Sequence, residues 1–182
     1  MGWSLQGRRL AGQSAMRSVS SKSGEFALSS LHTDILAAYG SFETPSHHFA
    51  TNAKVARVRQ EVDRILPSDV FCEDQTDLNY DAAVTLKLSR NESEVLLLLS
   101  LIGRYATVLL PTGAKISPLS AIGLEADRWR DVTRAVEDGG WQILRSKTLR
   151  EKIPLSLDLC GASKCTVFNA LFWDQHVTEF EA

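Results

Sequence analysis

Hydrophobic positions follow a helical period near the start of the chain and a strand period between residues 82 and 111. In the later stretch Val84, Leu86 and Leu88 alternate with Thr85, Lys87 and Ser89. That two-residue repeat predicts a strand with one wet face, bordering solvent. Val95, Leu96, Leu97, Leu98, Leu99, Leu101 and Ile102 are interrupted only by Ser100, so a strand here needs cover on both faces and belongs at the centre of a sheet. A run this rich in leucine also suits a helix capped at Asn91; the strand reading is preferred. Gly103 supplies a residue able to take positive φ in a turn, and Tyr105 to Leu110 form a third β-rich run stopped by Pro111 and Gly113. Together these segments predict a three-stranded antiparallel meander.

Helical spacing appears on either side. Leu28, Leu31, Ile35 and Tyr39 make an amphipathic stripe that Gly40 ends. Residues 41–50 lose periodicity at Pro45 and read as a loop. Thr51 or Asn52 then caps a second helix with Val55, Val58, Val62 and Ile65 on its apolar side, stopped by Pro67. Its other side, with Lys54, Arg57, Arg59, Gln60, Asp63 and Arg64, reads as a solvated basic face. After the meander, Ser117 and Pro118 offer a cap and first-turn proline for a third helix carrying Ile122, Ala126, Trp129, Val132 and Val136, closed by Gly139 and Gly140. Trp141 to Leu144 reads as a strand, Leu149 to Ile153 as a connector, and Leu155 to Leu159 as a short alternating segment. Thr166 to Trp173 is too apolar to lie outside a core. The outline is an α+β fold, an antiparallel meander sheet of about five strands with three helices packed on it.

Composition adds a boundary. Residues 1–24 hold Arg8, Arg9, Arg17 and Lys22, no acidic residue and six serines, whereas the rest of the chain carries 16 basic and 22 acidic residues, a formal charge of -6. The basic, serine-rich stretch fits a disordered tail, a start codon assigned too early with Met16 as the alternative, or an organellar targeting peptide that is cleaved. Residues 25–182 are expected to form one domain. No apolar run approaches the roughly 20 residues of a membrane span, and the overall charge of -2 gives no pull toward nucleic acid or anionic lipid.

The chemistry-bearing patterns are mostly negative. No nucleophile elbow, metalloprotease helix, phosphate loop or dinucleotide glycine pattern occurs; Pro111-Thr112-Gly113-Ala114-Lys115 lacks the parts of a phosphate loop and reads as a turn. Cys72, Cys160 and Cys165 are an odd number and read as thiols in a reducing compartment, which points to the cytoplasm. A zinc site on Cys160 and Cys165 would need a further ligand from His32, His47, His48 or His176, so neither metal nor cofactor is expected. His47 and His48 stand in a polar loop and are the candidates for an enzyme of unfamiliar type working with a carboxylate. Glu73, Asp74, Asp77 and Asp81, with Tyr80 among them, form an acid run that reads as a solvated loop. An aromatic ring among carboxylates also suits an interface with a basic partner, because charge speeds encounter and the ring supplies buried area. Trp173, with Asp174, Glu179 and Glu181, repeats the combination, although a tryptophan in an apolar run is more often core.

Three segments, Gly139-Gly140-Trp141-Gln142-Ile143-Leu144, the connector to Ile153-Pro154, and Thr166-Val167-Phe168-Asn169-Ala170-Leu171-Phe172-Trp173-Asp174, give a layout that resembles the small acidic α+β immunity proteins of bacterial polymorphic toxin systems. The basic first 24 residues depart from that pattern. The resemblance implies a cytoplasmic inhibitor that masks a basic toxin domain by tight binding, and it transfers no site residue. Read together, the sequence points to a non-enzymatic protein-binding module using Glu73, Asp74, Asp77, Tyr80 and Asp81.

Overall fold

A computed structural model of the chain describes residues 22–79, 81–112, 115–119 and 123–173. Helix α1 (Lys22–Tyr39) buries Leu31, Ile35 and Tyr39 at four-residue spacing. Gly40 ends it with φ 75°, its N–H donating to the Leu36 carbonyl at 2.8 Å. Helix α2 (Asn52–Val62) starts where the Thr51 hydroxyl accepts the Lys54 N–H, and Val58 and Val62 are its buried positions.

The sheet follows. Strands β1 (Phe71–Asp74), β2 (Ala83–Arg90), β3 (Ser93–Ser100), β4 (Tyr105–Thr112) and β5 (Lys115–Pro118) lie side by side in chain order, each antiparallel to the next. The hairpin between β2 and β3 pairs Arg90 with Ser93 across a two-residue loop in which Asn91 and Glu92 both have positive φ, 47° and 63°. This primed turn matches the strand twist. Asn91 is therefore a turn residue, and residues 93–100 are strand.

Strand β6 (Gln142–Ile143) is parallel to β4, pairing at Tyr105 and Ala106, while β5 pairs with the same edge of β4 from Leu109 to Thr112. The sheet is thus mixed where an all-antiparallel one was expected. The reason is geometric: β5 reverses the chain relative to β4, and helix α3 (Leu124–Arg128) and helix α4 (Arg130–Asp138), which lie between β5 and β6, bring it back in the direction of β4.

Both faces of the sheet are covered. On one, Val84, Leu86, Leu88, Val95, Leu97, Leu99, Ala106 and Val108 pack against Val58 and Val62 of α2 and against Trp129, Val132 and Val136. On the other, Ala83, Leu98, Tyr105 and Leu109 meet α1, helix α5 (Ser146–Leu149), helix α6 (Val167–Leu171) and the segment around Leu155 and Leu157. Strand β2 does not border solvent as its alternation suggested. β1 lies outside it, and Thr85, which reads as wet, is buried because Trp173 donates its indole N–H to the Thr85 hydroxyl at 3.1 Å.

Other departures have local causes. Ser117 and Pro118 belong to β5, where Pro118 stands opposite Leu109. The single third helix is two pieces broken at Trp129 (φ -106°, ψ 11°), whose fully buried indole donates to Ser93 Oγ at 3.1 Å. Gly103 keeps φ out of the left-handed region; a Cβ there would stand 2.7 Å from the Tyr105 ring, so the turn needs glycine for space. Leu155 and Leu157 are buried, yet no named strand includes them. Residues 166–173 are core as expected: Thr166 and Asn169 form a capping box at the start of α6, Phe168 and Phe172 are fully buried, and Tyr39 donates to the Ala170 carbonyl at 2.8 Å.

Candidate functional site

The acid run is not a uniform solvated loop. It opens as strand β1, and a chain of hydrogen bonds orders the rest. Asp74 Oδ2 accepts from Arg59 of α2 at 2.8 Å, while its Oδ1 accepts from the Thr76 hydroxyl at 2.6 Å. The Thr76 hydroxyl in turn accepts the Thr85 N–H at 3.1 Å. Asp77 Oδ1 accepts from the backbone and side-chain nitrogens of Asn79 at 3.0 and 2.8 Å, which closes a local turn.

Asp81 is buried, at 9% exposure, and pairs with Trp173 as an isolated β-bridge. Its Oδ2 accepts the Asp77 N–H at 3.1 Å and lies 3.5 Å from the Thr85 hydroxyl. Burial pushes its carboxyl up to about 6, and the nearby Asp77 charge pushes the same way, against the hydrogen bonds from the Asp77 N–H and Thr85. Asp81 is therefore a structural joint between the start of β2 and the segment after α6. Its exposure was the wrong inference, because an Asp in a polar run carries no signal that a tryptophan 92 positions later will cover it.

Of the other predicted residues, Glu73 and Asp77 are exposed, Asp74 is engaged with Arg59, and Tyr80 lies outside the described residues. Glu73 stands opposite Lys87, whose ammonium is paired with Glu94 at 2.8 Å. That trio keeps a net negative charge.

Phe71 was not singled out by the sequence. It is 67% exposed on β1, on the same side of the strand as Glu73. Among the described residues no strand pairs with the outer edge of β1. The Gln75 N–H donates to the Thr85 carbonyl at 2.9 Å, so two-residue alternation turns the backbone of Phe71 and Glu73 toward β2 and that of Cys72 and Asp74 outward. An open backbone edge, an exposed ring and two exposed carboxylates thus occur together.

His47 and His48 are exposed in the loop after α1. The His47 ring packs edge-on against Tyr39, with centroids 5.3 Å apart, and among the described residues no hydrogen bond or ion pair joins either imidazole to a carboxylate. Cys160 and Cys165 are buried within the α1 side of the core. Trp173 packs edge-on against Phe168 at 5.7 Å, while Asp174, Glu179 and Glu181 lie outside the described residues. Among the described residues no group of three or more His, Cys, Asp or Glu side chains is placed to hold a metal, and no helix is long and apolar enough to cross a membrane. Comparisons with protein-family models, curated proteins and solved structures give no match.

Proposed function

We propose that this protein is a non-enzymatic protein-binding module that receives an extended, basic segment of its partner along the outer edge of β1. The observation that carries the reading is Phe71, a large apolar ring 67% exposed on an edge strand. Edge strands with unpaired N–H and C=O groups are templates for strand addition, where main-chain hydrogen bonds give affinity and alternate side chains give specificity. Here the outward backbone belongs to Cys72 and Asp74, while Phe71, Glu73 and Asp77 supply the apolar and acidic contacts. An immunity-type inhibitor masking a basic toxin domain is the narrower form of this proposal, supported by the resemblance of the chain's later segments. A cytoplasmic setting goes with it, supported by three cysteines with no disulfide.

The test is to pan a peptide-display library against the immobilised protein and to map the selected peptides by amide hydrogen exchange. Enriched sequences should alternate Lys or Arg with apolar residues and should slow exchange at Cys72 and Asp74. Phe71→Ala should speed dissociation, and Glu73→Gln with Asp77→Asn should slow association and flatten its salt dependence. Peptides that protect amides elsewhere, or that bind the Phe71→Ala protein equally well, would refute the assignment.

A further inference from the structure

A second site lies on the other side of α2 from the acid run. A cleft of about 190 Å³ is lined by Lys54, Arg57, Val58 and Glu61 of α2, by residues 100–104 of the β3–β4 turn, and by Trp141. Lys54, Arg57 and Glu61 follow helical spacing, so one face of α2 forms one wall. Arg104 forms the other. Its guanidinium stacks on the Trp141 ring at 5.3 Å, donates to the Gly139 carbonyl at 3.1 Å and pairs with Glu61 Oε2 at 3.0 Å. Glu61 also accepts from Arg57 Nε at 3.3 Å.

This cleft joins a surplus of positive charge to an apolar floor. Three cations and one carboxylate line it, a net charge of +2, in a chain whose residues 25–182 carry -6. Among the described residues the Lys54 ammonium has no ion pair, and the Arg57 side chain is 77% exposed, so both can turn toward a ligand. Arg104 is already fixed by three partners and needs no ordering. The floor, from Val58, Leu101 and Ile102, is apolar. The volume exceeds the roughly 10–15 Å³ that one water occupies on this measure by more than tenfold, which is room for a phosphate with a small organic group.

We propose that this cleft binds a phosphomonoester dianion, with the phosphate between Lys54, Arg57 and Arg104 and the organic part over Ile102 and the edge of Val58. The charge of the dianion matches the surplus of the site, and guanidinium groups fit phosphate oxygens in pairs. The site is independent of the β1 edge, so either assignment can fail alone.

Phenyl phosphate is the probe, titrated into the full chain and followed by amide shifts. Saturable shifts are expected at residues 54–61 and 100–104 and at the Trp141 indole. Affinity should fall by about tenfold or more in Lys54→Gln, Arg57→Gln, where Arg57 is exposed, Lys54 is half-buried and glutamine keeps part of each aliphatic stem. It should also fall as pH drops below about 6, where a phosphomonoester loses its second charge, and phenol should leave these residues unmoved. No saturable shift up to millimolar probe, an equal response in the double variant, or an equal response to phenol would overturn the proposal.

Discussion

Replacing Asp81 with Asn should stabilise the protein at neutral pH and do nothing in acid. The carboxyl titrates near 3.8 in the unfolded chain and at about 6 when folded, so between these values the folded state holds more protons than the unfolded one. Stability then falls as pH rises through the window from about 4 to about 6, because the charged form must be kept in a buried place. A displacement of that size corresponds at most to about 3 kcal/mol. Partial access of water to the edge of the joint reduces the expected effect to about 1–2 kcal/mol. Asparagine keeps an oxygen to accept the Asp77 N–H and the Thr85 hydroxyl and never ionises. Thermal unfolding of both proteins at pH 4, 5, 6 and 7.5 would measure the effect, with a rise in Tm of about 2–8 °C at pH 7.5 for a chain of this size. The two proteins should converge at pH 4. A variant less stable than the parent at pH 7.5, or a difference independent of pH, would mean that the folded protein favours the ionised carboxylate.

Two further substitutions test the core and the hairpin. Phe172→Ala should cost about 3–5 kcal/mol in chemical denaturation, because the ring is fully buried between the α1 side of the core and Phe168, 5.6 Å away; a neutral result would place it outside the core. Glu92→Gly should raise stability by roughly 0.5–1 kcal/mol, measured as a shift in the denaturant midpoint, since Glu92 holds φ 63° in the two-residue turn where glycine has no steric cost. A loss of stability would show that the Glu92 side chain contributes more than its backbone strain costs.

What the sequence determined by itself is what short-range periodicity and local stereochemistry encode. The α1 stripe from Leu31 to Tyr39, the Thr51 cap, the three meander strands and the apolar character of residues 166–173 all rest on neighbours within a few positions, and all are present; the burial of Leu28 lies outside what is described. Tertiary structure decided the rest. Alternation in β2 reported one wet face, but burial of Thr85 depends on Trp173, 88 residues away. β1 is four residues long, and its Phe-Cys-Glu-Asp has no apolar period to announce a strand; it exists because β2 offers an edge to pair with. The acid run read as uniformly exposed, yet the fold turned Asp74 to Arg59, buried Asp81 and left Glu73 and Asp77 outside. The basic face of α2 likewise became one wall of a cleft only when Arg104 and Trp141 arrived opposite it. Charge and exposure of a polar side chain are set by whatever packs across from it, and a single sequence carries no local pattern for a partner contributed by a distant segment.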